Sequence, residues 1–180
     1  MDDIIDLELE KIEKIIAKID SDPESEEVKE AEKHLWEKIY KKSGQGRRTG
    51  VGITAEGDML AAMGLRYGTE EATEFSEQVH KTIALEAYRS SVNMAKERGA
   101  FAIYDSEREK NNPFINRLKE ADPELYEEMK KYGRRNIACL TIAPTGTTSL
   151  MTQTTSGIEP VFMPVYKRCL LYTSDAADEP

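Results

Sequence analysis

A nearly continuous apolar run late in the chain constrains the fold more than any other feature. It covers residues 136–143 and reads N-I-A-C-L-T-I-A. A short run of this kind, bounded by Pro144, is typical of a strand buried on both faces of a parallel sheet. Parallel strands need crossover connections, which are usually helices. Because most of the remaining sequence has helical periodicity, we predict an α/β fold.

Apolar residues at spacings of three and four predict the helices of this fold. These predicted helices cover residues 5–19, 28–39, 59–63, 69–98 and 123–132. We expect the second helix to end before a break at 43–46, and Thr54 to cap the third. Thr69 should cap the fourth helix and Gly99 should end it. Asp122 followed by proline predicts the start of the fifth.

The residues that follow the predicted strand are small and polar. They read T-G-T-T-S from Thr145 to Ser149 and lead into a short helix around Leu150. Glycine lets a backbone approach a ligand closely, and hydroxyls and free helix N–H groups suit a phosphate. A polar turn that caps a helix explains the same residues, and the local chemistry alone favours that interpretation. The lysine-containing phosphate loop of nucleotide hydrolases is absent from the sequence.

Three segments together resemble a known family. They are 136–151 (N-I-A-C-L-T-I-A-P-T-G-T-T-S-L-M), 156–162 (S-G-I-E-P-V-F) and 47–53 (R-R-T-G-V-G-I). Each is similar to a segment of ribonucleotide reductase large subunits, and they occur in the family's order. Residues 66–69 and 107–113 look most like the adenosylcobalamin-dependent class II enzymes.

The resemblance implies a fold and a site. Residues 1–168 would be the C-terminal part of a catalytic domain, a helix-rich fragment of the ten-stranded α/β barrel of reductases and related radical enzymes. Residues 157–162 would form a second barrel strand. Glu159 would either line the active site or anchor a neighbouring loop. The substrate's phosphates would be held by Pro144, Thr145, Gly146, Thr147, Thr148 and Ser149.

The resemblance also implies a reaction for the full-length enzyme. Adenosylcobalamin would generate a thiyl radical, which reduces a ribonucleoside di- or triphosphate to the deoxyribonucleotide used in DNA synthesis. A thiol reductant such as thioredoxin would supply the electrons, and the full-length enzyme could form a homodimer. The sequence holds no asparagine-x-cysteine-x-glutamate segment of the kind that carries the radical cysteine. We therefore expect no catalytic residue in this chain and no activity from it alone.

Three alternatives remain open at this point. The chain could belong to a class I reductase large subunit, because the classes share the phosphate segment. It could belong to another radical-enzyme barrel. It could also be a non-catalytic helical interaction module, in which residues 145–149 are only a capped turn.

Charge and residue content limit the other functions. A net charge of −9 gives no basic footprint for nucleic acid or an anionic membrane. No apolar run has the length of a membrane span, so we expect a cytoplasmic protein. Cys139 is expected to be a small buried apolar residue. His34 and His80 lie on different predicted helices, so we predict no metal site.

The two ends of the sequence carry expectations of their own. Residues 169–180 read C-L-L-Y-T-S-D-A-A-D-E-P. This string resembles the translation of a transposon end used in sequencing libraries, so we expect it to be an adapter artefact. Met1 is interpreted as an internal methionine, because the residues after it have the pattern of a helix from the middle of a protein.

Overall fold

The computed structural model describes residues 1–163 and residue 165, and this part of the chain is mainly helical. The helices are α1 Asp2–Ile19, α2 Glu26–Gly46, α3 Glu56–Ala62, α4 Glu70–Arg98, α5 Ser106–Glu109, α6 Pro113–Ala121, α7 Pro123–Tyr132 and α8 Gly146–Thr152. None of them is both long enough and apolar enough to cross a membrane. The described residues form two compact units: the first is Met1–Gly52 with Thr73–Ile142, and the second is Ile53–Ala72 with the described residues from Ala143 onward. The proposed artefact, residues 169–180, lies outside the described residues.

The local signals in the sequence place most helix ends correctly. The Asp122 carboxylate accepts a hydrogen bond from the Leu125 amide at 2.9 Å, which caps α7 as predicted. The Thr69 hydroxyl accepts from the Ala72 amide at 3.3 Å at the start of α4. Gly99 follows α4 with a φ of 82°, a left-handed conformation that suits glycine. These ends follow from chemistry within one turn of the chain, which a sequence displays directly.

Two predicted boundaries are wrong. α2 continues through the expected break at 43–46 and ends at Gly46, and the residue after it, Arg47, is left-handed with a φ of 47°. Gly46 has a packing role, because a Cβ there would lie 3.3 Å from Ile137 Cγ2. Thr54 does not cap α3. The residue before α3 is Ala55, also left-handed, and it makes no side-chain cap hydrogen bond.

The hydrophobic core of the first unit is formed by α4, α6 and α7 together with Cys139. Its buried members are Tyr88, Val92, Ile115, Leu118, Leu125, Met129 and Cys139. The prediction that Cys139 is a buried apolar residue is confirmed, since it is 3 % exposed. Burial raises the pKa of its thiol. Tyr88 and Val92 are the residues that α4 contributes to this buried set.

Residues 137–141 pair with residues 46–51 through backbone hydrogen bonds in the parallel sense. The Thr49 amide donates to the Ala138 carbonyl at 3.0 Å, and the Val51 amide donates to the Cys139 carbonyl at 2.7 Å. The Thr141 amide donates in turn to the Val51 carbonyl at 3.0 Å. Within residues 1–163, Val51 and Leu140 alone form a regular parallel bridge. The apolar run is therefore paired along one edge over a few residues.

The two predicted strands are accordingly wrong for the part of the chain that is described. A strand requires a continuous ladder with a neighbour, and residues 136–143 find only the short pairing with 46–51. Residues 157–162 turn at Gly157, whose φ is 62°. Pro160 has no N–H to contribute to a ladder. The ten-stranded barrel consequently stays a proposal.

A buried carboxylate joins three parts of the first unit. Asp2 accepts hydrogen bonds from Arg47 at 2.7 Å, from Arg135 at 2.9 Å and from Asn136 at 3.2 Å. Burial acts to raise the pKa of Asp2, but the bonds from Arg47 and Arg135 outweigh it and hold the pKa below its usual value. Arg47 is itself buried. Arginines lie mostly at the surface, and this one is buried because Asp2 and Asp6 pair with its charge.

A second buried charge supports the 137–141 segment. The Arg134 guanidinium forms a bidentate ion pair with the Glu109 carboxylate. It also donates to the Asn136 and Ile137 carbonyls, each at 3.1 Å. The rings of Tyr88, Phe101 and Tyr104 surround it with centroids 5.4–5.7 Å away. Such a site holds a cation with its hydrogen bonds nearly filled.

Candidate functional site

The predicted phosphate segment lies in the second unit and begins with an unusual backbone. Thr145 precedes α8 with φ 51° and ψ 22°, the left-handed conformation. A β-branched residue rarely adopts this conformation, and left-handed non-glycine residues cost about 1–3 kcal/mol. Gly146 is the first residue of α8 and has no positive φ. The conformational strain of this segment is therefore carried by the threonine and not by the glycine beside it.

Side-chain hydrogen bonds hold Thr145 in place. Its hydroxyl oxygen accepts from the Gly157 amide at 3.0 Å. The same oxygen lies 3.3 Å from the Thr54 hydroxyl. The Thr54 hydroxyl in turn donates to the Thr155 carbonyl at 3.1 Å. Two segments distant in sequence thus meet at the residue that precedes the loop.

The start of α3 forms the base of this arrangement. The Asp58 carboxylate accepts from the Thr155 amide at 2.8 Å, and the Glu56 amide donates to the Gly157 carbonyl at 3.2 Å. A Cβ on Gly57 would lie 2.6 Å from the Pro160 Cα. The backbone of residues 155–160 is therefore packed directly against the first turn of α3.

The hydroxyl groups of the segment divide into two pairs. Those of Thr145 and Ser149 are engaged internally, since Ser149 donates to the Gly146 carbonyl at 2.8 Å and is buried. Thr147 and Thr148 are exposed. Within residues 1–163, their hydroxyls have no hydrogen-bonding partner. The second pair is therefore available to a ligand.

The remaining three predicted positions are Pro144, Gly146 and Glu159. Pro144 is exposed. A Cβ at Gly146 would meet no atom within 4 Å, so the space beside its backbone is open. Glu159 is exposed, and its carboxylate folds back over Gly157, where a Cβ would lie 2.9 Å from Oε2. Glu159 is thus next to the residue that donates to Thr145.

Sequence reasoning missed the residues that support the loop. Thr54 was interpreted as a helix cap, Gly157 was placed at the start of a strand, and Asp58 and Thr155 were given no role. A hydroxyl or carboxylate that bonds to a segment about 90 residues away leaves no periodic pattern in the sequence. The only signal was the clustering of small and hydroxyl residues at 154–157.

Three aspartates at the start of α1 lie close together, as the ligands of a metal ion would. Carboxylate oxygens of Asp2, Asp3 and Asp6 lie within 4.8 Å of one another. Arg47 pairs with Asp2 and Asp6, each at 2.7 Å. Arg98 pairs with Asp3. These cations neutralise the carboxylates, so we assign no metal to the group.

Comparison with known proteins identifies the family. The family model described as "Ribonucleotide reductase, barrel domain" matches residues 24–175. A vitamin B12-dependent ribonucleoside-diphosphate reductase of Mycobacterium tuberculosis is 33% identical over 126 residues, which are 69% of this chain and 15% of that protein. The enzyme of the same name from Thermoplasma acidophilum is 35% identical over 147 residues, 81% of this chain and 17% of that protein.

The similarity is not confined to the vitamin B12-dependent enzymes. A ribonucleoside-diphosphate reductase subunit alpha of Chlamydia pneumoniae is 30% identical over 135 residues, 64% of this chain and 13% of that protein. The chain thus spans only 13–17% of the length of these relatives. The resemblance inferred from residues 47–53, 136–151 and 156–162 is confirmed, and the chain belongs to the ribonucleotide reductase barrel-domain family, whose named relatives are oxidoreductases.

Proposed function

We propose that the complete protein is a ribonucleotide reductase large subunit, in which residues 144–149 hold the phosphates of a ribonucleoside diphosphate. The observation that carries this proposal is the exposed surface of Gly146, Thr147 and Thr148. The glycine leaves open space beside the backbone, and the two hydroxyls have no partner among the described residues. The loop before them is fixed by internal hydrogen bonds. A fixed loop with free donors suits a phosphate group.

The energetic contribution of these donors can be bounded. A hydrogen bond to a charged group contributes about 1.5–3 kcal/mol. Loss of one hydroxyl should then weaken binding by roughly tenfold to a hundredfold. The contacts would be to phosphates, remote from the reacting ribose. They should act on substrate binding and on the position of the sugar.

The reaction and cofactor are proposed for the complete enzyme. Thiyl-radical reduction and adenosylcobalamin follow from the segments that resemble class II enzymes, and relatives named vitamin B12-dependent support them. The described residues show no group that we can assign to the corrin, so we place no cobalamin contact on this chain. A thiol reductant such as thioredoxin and a homodimer belong to the same proposal. The chain alone is expected to be inactive.

A class I large subunit is the second candidate, and the match to the Chlamydia pneumoniae subunit alpha favours it. The complete gene product separates the two. A class II enzyme should reduce ribonucleotides with adenosylcobalamin alone. A class I subunit should stay inactive until a radical-generating partner subunit is added.

The phosphate site is tested with Gly146→Val in the complete enzyme. Because a Cβ at this position meets nothing within 4 Å, the fold should be retained. The added side chain should nevertheless obstruct a phosphate, so the dissociation constant of cytidine 5′-diphosphate should rise at least tenfold. Binding of unphosphorylated cytidine should stay as in the parent.

A second pair of variants supplies a matched control. Thr147→Ala removes a free hydroxyl and should weaken diphosphate binding. Thr152→Ala removes an exposed hydroxyl from the same helix, where it already donates to the Thr148 carbonyl at 3.1 Å. The second change should leave binding unaltered. Parental diphosphate affinity in Gly146→Val, with the fold intact, would return the segment to the capped-turn interpretation.

A further inference from the structure

The direction of the hydrogen bonds around Thr145 can be derived from the donors available. The Gly157 N–H can only donate, so the Thr145 oxygen accepts from it. The Thr155 carbonyl can only accept, so the single proton of the Thr54 hydroxyl is used there. The remaining contact, between the two hydroxyls, therefore takes its proton from Thr145.

This direction determines what Thr145 can contribute to a ligand. Its one hydroxyl proton is donated to Thr54, so it has none for an anion. The hydroxyls of its neighbours Thr147 and Thr148 have no partner among the described residues. Thr145 therefore serves the loop through its backbone conformation, and its side chain is used to maintain that conformation against the cost of the left-handed region.

The residue that receives this proton is itself fixed. Thr54 precedes α3, and its bond to Thr155 is reinforced by the bond from the Thr155 amide to Asp58. Both backbone groups of Thr155 are thus bound to residues at the start of α3. Gly57 packs closely against Pro160, so the start of α3 and residues 155–160 cannot move far relative to each other.

We propose that Thr54 and Asp58 are positioning residues for the phosphate loop: they hold Thr145 left-handed and so present Gly146, Thr147 and Thr148 to the substrate. This inference rests on the proposed function of residues 144–149. Neither residue touches the ligand. Their effect passes through Thr145 and the 155–157 segment.

The test uses the complete enzyme with isosteric and conservative variants of Thr54. Thr54→Val keeps the shape and removes the hydroxyl, and it should raise the dissociation constant and KM of cytidine 5′-diphosphate by about tenfold. The kcat at saturation should remain within about threefold of the parent, because the reacting groups are elsewhere. Thr54→Ser keeps the hydroxyl and should restore parental constants.

Asp58 and a control threonine complete the design. Asp58→Ala should raise the same constants, whereas Asp58→Asn keeps an acceptor oxygen for Thr155 and should not. Thr49→Val removes a comparable half-buried hydroxyl, which contacts the Ala138 carbonyl at 3.2 Å in the first unit. Its melting temperature should fall about as far as that of Thr54→Val, while its KM stays parental.

The outcomes separate this inference from the proposed function. If Gly146→Val weakens binding but Thr54→Val does not, the positioning role is overturned and the phosphate site stands. If Thr54→Ser is as impaired as Thr54→Val, the hydroxyl is not the cause and the inference is again overturned. If Gly146→Val binds the diphosphate as tightly as the parent, both the phosphate site and the positioning role are contradicted.

Discussion

Arg134 offers the sharpest test of how this chain is held together. The substitution Arg134→Met keeps a long flexible side chain but removes the cation. The Arg134 side chain is 3 % exposed and that of its partner Glu109 is 20 % exposed. The change therefore leaves a largely buried carboxylate without a counter-charge, and the Asn136 and Ile137 carbonyls without their donors.

The expected cost follows from these groups. Breaking a buried ion pair by removing one partner destabilises a protein by about 3–5 kcal/mol. The partial exposure of Glu109 reduces that cost to about 2–3 kcal/mol, because water can reach the carboxylate, and the two lost hydrogen bonds to carbonyls add about 0.5–1 kcal/mol each. We expect about 3–5 kcal/mol in total, a large part of the 5–15 kcal/mol that stabilises a typical domain.

Hydrogen exchange in the complete enzyme can locate this loss. The amides of Ile137 and Thr141 bond to Gly46 and Val51, so peptides covering 46–51 and 137–141 report the pairing directly. Their exchange should accelerate by roughly a hundredfold to a thousandfold in Arg134→Met. Arg108→Met is the control, because Arg108 is 80 % exposed and its one ion pair within the described residues is with Asp105, three residues earlier. Exchange in Arg134→Met no faster than in Arg108→Met would refute the reasoning.

Three further predictions concern other parts of the chain. Gly57→Ala should displace residues 159–160, because its Cβ would lie 2.6 Å from the Pro160 Cα, and the affinity for the diphosphate should fall. Gly44→Ala is the control, because its Cβ would lie 3.9 Å from the nearest atom, and its diphosphate affinity should equal that of the parent. Asp2→Asn should destabilise the complete protein at neutral pH by a few kcal/mol, about the cost of breaking a buried pair. Because folding lowers the pKa of Asp2, its carboxylate stabilises the folded state at pH values above the ordinary pKa of 3.8, and this stabilisation is lost as the pH falls through the pKa of the folded state. In urea unfolding, the free energies of the parent and the variant should therefore converge in acid. Amplification of the source locus should give a sequence after Arg168 that differs from residues 169–180, and a genomic read that encodes them would contradict the adapter interpretation.

The sequence determined six of the eight helices in the described residues, and the family, but it predicted no helix at α5 or α6. The amphipathic spacing of α1, the cap at Asp122 and the stop at Gly99 act within one or two turns of the chain, so their signals are local. Burial of Cys139 followed from its place in an apolar run. The segments 136–151 and 156–162 identified the family because a run of specific residues carries more information than composition does.

Only the tertiary structure decided how the loop is supported. Thr54 has the sequence context of a helix cap, yet its hydroxyl bonds to Thr155, about a hundred residues away. Sequence reasoning likewise placed the special backbone at Gly146, whereas the left-handed residue is Thr145. Such a conformation is stable because groups from two distant segments converge on it. That convergence depends on how the whole unit packs, and no local pattern in the sequence encodes it.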